Sequence, residues 1–96
     1  MSRAEVLDLL RVHKPVLVER FDVTELALFG SFARDAVDED SDIDVLVGFA
    51  GPATARSYFG VQFYIEDLSG RAVDVVTTKG LRPEMRPHID REKVVV

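Results

Sequence analysis

The chain has 96 residues, of which 47% are apolar and 30% charged, so it fits one globular core and is not a disordered chain. Its net charge of −5 is local: Asp38, Glu39, Asp40, Asp42 and Asp44 account for it, and the remaining twelve acids are matched by twelve Lys and Arg. That balance excludes non-specific duplex nucleic-acid binding, and the absence of cysteine excludes a disulfide framework, a thiol nucleophile or a thiolate metal site.

Ser2 and Glu5 have the spacing of a capping box, and Val6, Leu7 and Leu10 follow at helical spacing. A helix is therefore expected from Arg3 to His13. Pro15 either ends it or opens a second helix at its first turn, and Leu17, Arg20 and Phe21 favour the second helix. Val23 to Phe29 is a short apolar strand stopped by Gly30, after which Ser31, Phe32, Ala33 and Arg34 read as a short helix. Ile43 to Val47 is a second strand, closed by the turn region Gly48 to Pro52. Arg56 to Ser69 is a helix with Tyr58, Val61, Ile65 and Leu68 on one stripe and Gly70 as its stop. Ala72 to Thr77 is a third strand, Pro83 to Arg91 a short helix disturbed by Pro87, and Val94 to Val96 an edge strand. The order predicts an α/β (α+β) fold, a small sheet with helices packed against it, in a single domain over 1–96.

Two strands carry a carboxylate where an apolar residue is expected. Asp44 interrupts one and Asp74 the other, and a lone buried carboxylate is costly unless something pairs with it. On an extended strand Asp42 and Asp44 project from the same face, about 6.6 Å apart along the chain. If the third strand lies beside the second, Asp74 converges on them, and three carboxylates on one face invite a hard cation such as Mg²⁺. Each residue also has a plainer reading: Asp42 in a turn, Asp44 solvated at an edge, Asp74 on the surface. A calcium loop starting at Asp38 fails, because its sixth position is Ile43 instead of Gly and its twelfth is Phe49 instead of Glu.

The turn before the acidic run adds phosphate chemistry. Gly30 lets backbone approach a phosphate closely, a helix start offers free N–H groups, Ser31 adds a hydroxyl, and Arg34 adds a charge. A Gly-Ser pair alone is an ordinary turn. Followed after ten residues by Asp-x-Asp, it has a chance frequency on the order of a few in a thousand in a chain this short.

Gly30-Ser31, ten residues, then Asp42-Ile43-Asp44 resembles the signature of the DNA polymerase β-like nucleotidyltransferases, and Asp74 in Ala-Val-Asp-Val-Val matches the third carboxylate. Leu28 to Arg34, Ser41 to Val47 and the stretch from Leu81 through Ile89 to Val96 are similar to the minimal nucleotidyltransferases (MNT), so the resemblance covers nearly the whole chain. It implies a small mixed sheet with helices packed against it, and a nucleotidyl transfer from a nucleoside triphosphate to a hydroxyl with Mg²⁺, two ions, and release of pyrophosphate. By position, Gly30 and Ser31 hold the triphosphate and Asp42 and Asp44 bind both metals. Asp74 binds the catalytic metal and helps deprotonate the acceptor. Arg34 as a phosphate contact is read from the residue alone. Minimal members are commonly antitoxins paired with a HEPN-type ribonuclease toxin, and some AMPylate a toxin tyrosine.

The expected function is therefore an Mg²⁺-dependent transfer of AMP from ATP to a hydroxyl of a partner HEPN toxin, within a hetero-oligomer. A non-catalytic antitoxin that acts by binding is the alternative, and a small-molecule acceptor a weaker one. With no secretory layout at the start and no apolar run of bilayer length, the expected location is cytoplasmic, with no membrane partner. His13 and His88 are read as solvated residues near helix ends, and Tyr58, Phe59, Phe63 and Tyr64 chiefly as core, with a partner surface as the minority reading. Arg82, Arg86, Arg91 and Lys93 are read as a solvated basic face, with contact to the triphosphate or a partner as the minority reading.

Overall fold

A computed structural model describes residues 1–96. Helix α1 (Arg3–Phe21) starts on the capping box: the Ser2 hydroxyl accepts the Glu5 N–H at 3.2 Å, and the Glu5 carboxylate accepts the Ser2 N–H at 3.0 Å. The expected break at Pro15 is absent, and one helix of 19 residues runs through it. Pro15 deprives the Arg11 carbonyl of its helical donor, but both residues are exposed, so water can take that bond. Beyond the proline, Leu17 joins Val6, Leu7 and Leu10 in one core, which holds both halves of the helix in line. Asp22 closes it in the left-handed conformation.

Strand β1 (Val23–Phe29) runs into the four-residue helix α2 (Gly30–Ala33), and β2 (Ile43–Phe49) follows the acidic loop. Strand β2 is two residues longer than expected, because Gly48 and Phe49 stay paired with Glu25 and Val23. Helix α3 (Ala55–Ser69) is capped by Thr54 and ends at Gly70, and β3 (Val73–Thr77) returns parallel to β2. Helix α4 (Arg86–Glu92) starts later than the expected Pro83. Pro87 lies in its first turn, where a missing N–H costs nothing, so the proline opens this helix instead of disturbing it. Strand β4 (Val94–Val95) is the expected edge strand, antiparallel to β1.

The sheet order is β3-β2-β1-β4, with one parallel and two antiparallel pairings. This is the small mixed sheet with packed helices that the resemblance implies. Alternation sorts its two faces. Val45, Val47, Val73 and Val75 meet α1 and α3 in the main core, together with Leu26, Leu28 and Phe32. A bulge between Val23 and Glu25 shifts the parity of β1, so Val23, Leu26 and Leu28 share that face. The opposite face is covered more sparingly: Ile89 of α4 packs on Ala27 and Leu46. Asp44 and Asp74, out of phase with the core residues, therefore stand on the thinly covered face.

The stripe on α3 is only partly internal. Val61 and Ile65 are buried, whereas Leu68, Phe59 and Phe63 are exposed by 42%, 47% and 54%. The two phenylalanines stack on each other at 5.9 Å, and only Tyr58 and Tyr64 of the four aromatics reach the core. His13 is not at a helix end: it lies within α1, and its Nδ1 pairs with the Tyr64 hydroxyl at 2.9 Å across the α1–α3 contact.

Gly60 permits that helix contact, since a Cβ there would overlap the Phe21 ring. Gly60→Ala is expected to destabilise the domain by about 1–3 kcal/mol through overpacking. Denaturant unfolding should show this, and adding Phe21→Leu should recover part of the loss. Equal stability of Gly60→Ala and the parent would count against this packing.

Candidate active site

In the parallel ladder Asp44 and Asp74 are direct register partners, so their side chains leave neighbouring strands on the same face. Adjacent strands lie about 4.8 Å apart, so two carboxylates in such a pair feel each other directly. Asp42 sits two residues before Asp44 and is exposed at the rim of a polar depression shared with Glu39, Asp40 and Arg71. Its loop is pinned by Arg71, which donates to the Ser41 carbonyl at 3.0 Å and stacks 5.3 Å from the centre of the buried Phe32 ring.

Gly30 roofs this group. It has φ +73, and a Cβ there would overlap Asp44 Oδ2, so the glycine is required both by its conformation and by the carboxylate packed against it. Ser31 follows half-buried in α2, with its carbonyl accepting the Ala36 N–H at 2.9 Å. Arg3 donates to the Ala33 carbonyl at 3.1 Å and so ties the end of α2 to α1. Gly30, Asp44 and Asp74 are thus brought together, Ser31 and Arg34 lie on the adjoining α2 and its end, and Asp42 acts on Asp44 from the exposed loop without closing a three-carboxylate cluster.

Burial pushes the Asp44 carboxyl from its ordinary 3.8 up to about 6, and the negative charges of Asp74, Asp42 and Glu92 add to the rise against a smaller pull from Arg34. This is a negative field short of positive charge. No three Asp, Glu, His or Cys side chains stand close enough to form a ready-made cage. The donor set is all carboxylate oxygen, and a divalent cation would relieve both the burial of an unpaired charge and the repulsion from Asp74 and Asp42 that raise Asp44. The residues therefore fit a hard ion such as Mg²⁺.

One residue of this site had no role in the sequence reading. Glu92, the last residue of α4, accepts the Gly30 N–H at 3.1 Å through one carboxylate oxygen and the Arg34 guanidinium at 3.0 Å through the other. Its sequence setting, Asp90-Arg91-Glu92-Lys93, looks like any charged helix end, and only the tertiary fold carries it across to α2. Burial alone would raise its pKa, but the hydrogen bonds from Arg34 and Gly30 and the nearby positive charge hold it below the ordinary carboxylate range. His88, expected to be solvated, is 61% exposed and stands 4.0 Å from the same carboxylate. Asp38 also gains a use, as a turn builder: its carboxylate accepts the Asp40 N–H at 2.8 Å.

The model of the nucleotidyltransferase domain matches residues 10–96, and the chain belongs to that family. It is an enzyme of the nucleotidyltransferase class by fold and by family. Among its relatives, the protein adenylyltransferase MntA of Thermococcus cleftensis is 37% identical over 96 residues, covering 100% of this chain and 97% of the relative. A solved structure described as a minimal nucleotidyltransferase superposes with a TM-score of 0.84 at 33% identity, covering 100% of this chain and 97% of the other. The fold also recurs, at 17% identity and a TM-score of 0.61, in the complex of a tri-AMPylated Shewanella oneidensis HEPN toxin with its MNT antitoxin, over 97% of this chain and 66% of the other. No helix is long and apolar enough to cross a membrane.

Proposed function

We propose that this protein is an Mg²⁺-dependent adenylyltransferase that moves AMP from ATP to a hydroxyl, a tyrosine, of a partner HEPN-type toxin, and so acts as its antitoxin in a cytoplasmic hetero-oligomer. The observation that carries the reading is the pairing of Asp44 with Asp74 on adjacent parallel strands, under a glycine whose missing side chain makes room for Asp44. The adenylyltransferase name of a relative at 37% identity supports the reaction class, and the AMPylated HEPN toxin bound to a protein of this fold supports the acceptor.

In this reading Asp42 and Asp44 would hold two Mg²⁺ ions, and Asp74 would hold the catalytic one. Such ions, when bound, would supply a lowered pKa for the acceptor hydroxyl and neutralisation of phosphate charge. Gly30 and Ser31 cradle the triphosphate, and Arg34 contacts phosphate oxygen with a charge-assisted hydrogen bond. The acceptor oxygen bonds the α-phosphorus as the bond to pyrophosphate breaks, and pyrophosphate leaves with that electron pair. Asp74 accepts the proton released by the hydroxyl.

Labelled ATP with Mg²⁺ and the neighbouring gene's product should label the product, and Asp42→Ala/Asp44→Ala should abolish the label. No label on the partner, together with full neutralisation by the double variant, would leave neutralisation by binding alone. Label on a small molecule and never on protein would move the acceptor to that class.

A further inference from the structure

The Gly30 amide and the Arg34 guanidinium, the two donors placed above beside the triphosphate, are both engaged by one side chain of the protein itself. We propose that Glu92 is a built-in stand-in for phosphate: in the free protein its carboxylate occupies the Gly30 N–H and one N–H of Arg34, and it must leave before a triphosphate can take the Gly30 amide and the unshared Arg34 charge. The proposal rests on the assignment of Gly30 and Arg34 to phosphate binding.

Four observations carry it. Both carboxylate oxygens are used, one on each donor, which is how a phosphate group would bridge them. The Glu92 side chain is only 14% exposed and its bond to the Gly30 N–H is partly buried, although the Arg34 side chain on its other oxygen is half exposed. The backbone that carries Glu92 is held on both sides. Ile89 is buried against Ala27 and Leu46, while Val94 and Val95 pair with Leu28 and Ala27. Beyond them the Val96 carbonyl accepts the Lys14 ammonium at 2.6 Å. Finally, Glu92 adds a little to the negative charge that raises Asp44, while its own carboxylate is stabilised by Arg34 and Gly30, the two donors it holds. Its partners are Gly30 and Arg34, with His88 more distant at 4.0 Å.

A one-for-one exchange follows. The Gly30 N–H has a single hydrogen to give, and Arg34 is neutralised while Glu92 holds it. Apparent affinity for a phosphate ligand is then the intrinsic affinity multiplied by the fraction of molecules in which Glu92 has let go. If that fraction is about a tenth, removing the carboxylate should tighten binding about tenfold.

The test is binding of inorganic tripolyphosphate with Mg²⁺ to the full chain, compared with Glu92→Gln and Glu92→Ala. Tripolyphosphate needs neither base recognition nor chemistry. Glu92→Gln keeps the shape and can still accept from Gly30, but it loses the charge that holds Arg34; melting curves confirm that each variant is folded. Glu92→Ala should bind about tenfold tighter and Glu92→Gln tighter by a smaller factor, since it frees Arg34 but can still accept from Gly30, with Glu92→Gln alone deciding if Glu92→Ala unfolds. Equal or weaker binding by a folded Glu92→Gln overturns the proposal, as does failure of all three proteins to bind. Tighter binding with no AMP transfer from labelled ATP would keep the stand-in and reject the adenylyltransferase reading. Transfer with no gain from Glu92→Gln would do the reverse.

Discussion

Asp44→Asn is expected to lower nucleotidyl transfer by at least about 10²–10³-fold, the loss seen when one group stabilising transition-state charge is removed. The same substitution should raise the melting temperature of the metal-free domain near pH 7.5. Burial and the neighbouring Asp74 and Asp42 lift the Asp44 carboxyl from 3.8 to about 6, so the folded domain takes up this proton more readily than the unfolded chain. Below about 3.8 both states carry the proton and the group has no effect on stability. As pH rises from there to about 6 the unfolded chain ionises first, and stability falls. Above that window the whole penalty is present. Asparagine removes it, so the gain should be a few degrees at pH 7.5 and should shrink at pH 4.5. With Mg²⁺ added, the parent should melt higher and the gap to Asp44→Asn should narrow, because a ligand that binds only the folded state stabilises it. Melting curves in EDTA and in Mg²⁺ at both pH values check each part. A gain larger at pH 4.5 than at pH 7.5 would contradict the charge-burial account.

Gly30→Ala should impair both stability and transfer. The residue has φ +73, where an L side chain costs about 1–2 kcal/mol, and its new Cβ would overlap Asp44 Oδ2. Either the turn opens or Asp44 moves, and both displace the carboxylate that the proposed chemistry needs held in place. The expected loss of stability is about 1–3 kcal/mol, with transfer reduced by about a hundredfold, since misplacement by about 1 Å can cost that much. Urea unfolding and label transfer measure the two effects. In the Asp44→Ala background, where the obstructing carboxylate is gone, Gly30→Ala should destabilise less. Full transfer by Gly30→Ala would show that this close approach has no part in the reaction.

The elements were legible where periodicity and punctuation agreed. Val23–Phe29 ends at a glycine, Ser69 is followed by a glycine in the left-handed conformation, and Ser2 with Glu5 opens the first helix, all as read from the chain. The prolines were harder, because their effect depends on which side of a helix they occupy. Pro15 lies on the exposed side of α1, where lost backbone bonding is replaced by water, and Pro87 sits in the first turn of α4, where nothing is lost. The aromatic residues of α3 divide for a related reason. A stripe wide enough to include Phe59 and Phe63 exceeds the surface that α1 and the sheet can cover, and burial on a helix depends on the neighbours present.

Part of the site could be read from the chain because strand parity is local. Asp42 and Asp44 are two apart, and a single Asp in each of two apolar strands marks the face that the core does not use. Whether those faces coincide is not local. It required β2 and β3 to lie side by side in parallel with Asp44 opposite Asp74, a register set by the core valines on the other side of the same strands. Glu92 was out of reach for the same reason: 62 residues separate it from Gly30, and no pattern in a charged helix end says which distant amide it will accept. The chain by itself determined which residue types are available, how they are spaced, and that its excess negative charge is concentrated in one loop and strand. The tertiary structure alone decided which carboxylates face each other, because pairing between strands and docking of α4 are set by burial of side chains far apart in sequence, and hydrophobic burial has no direction along the chain.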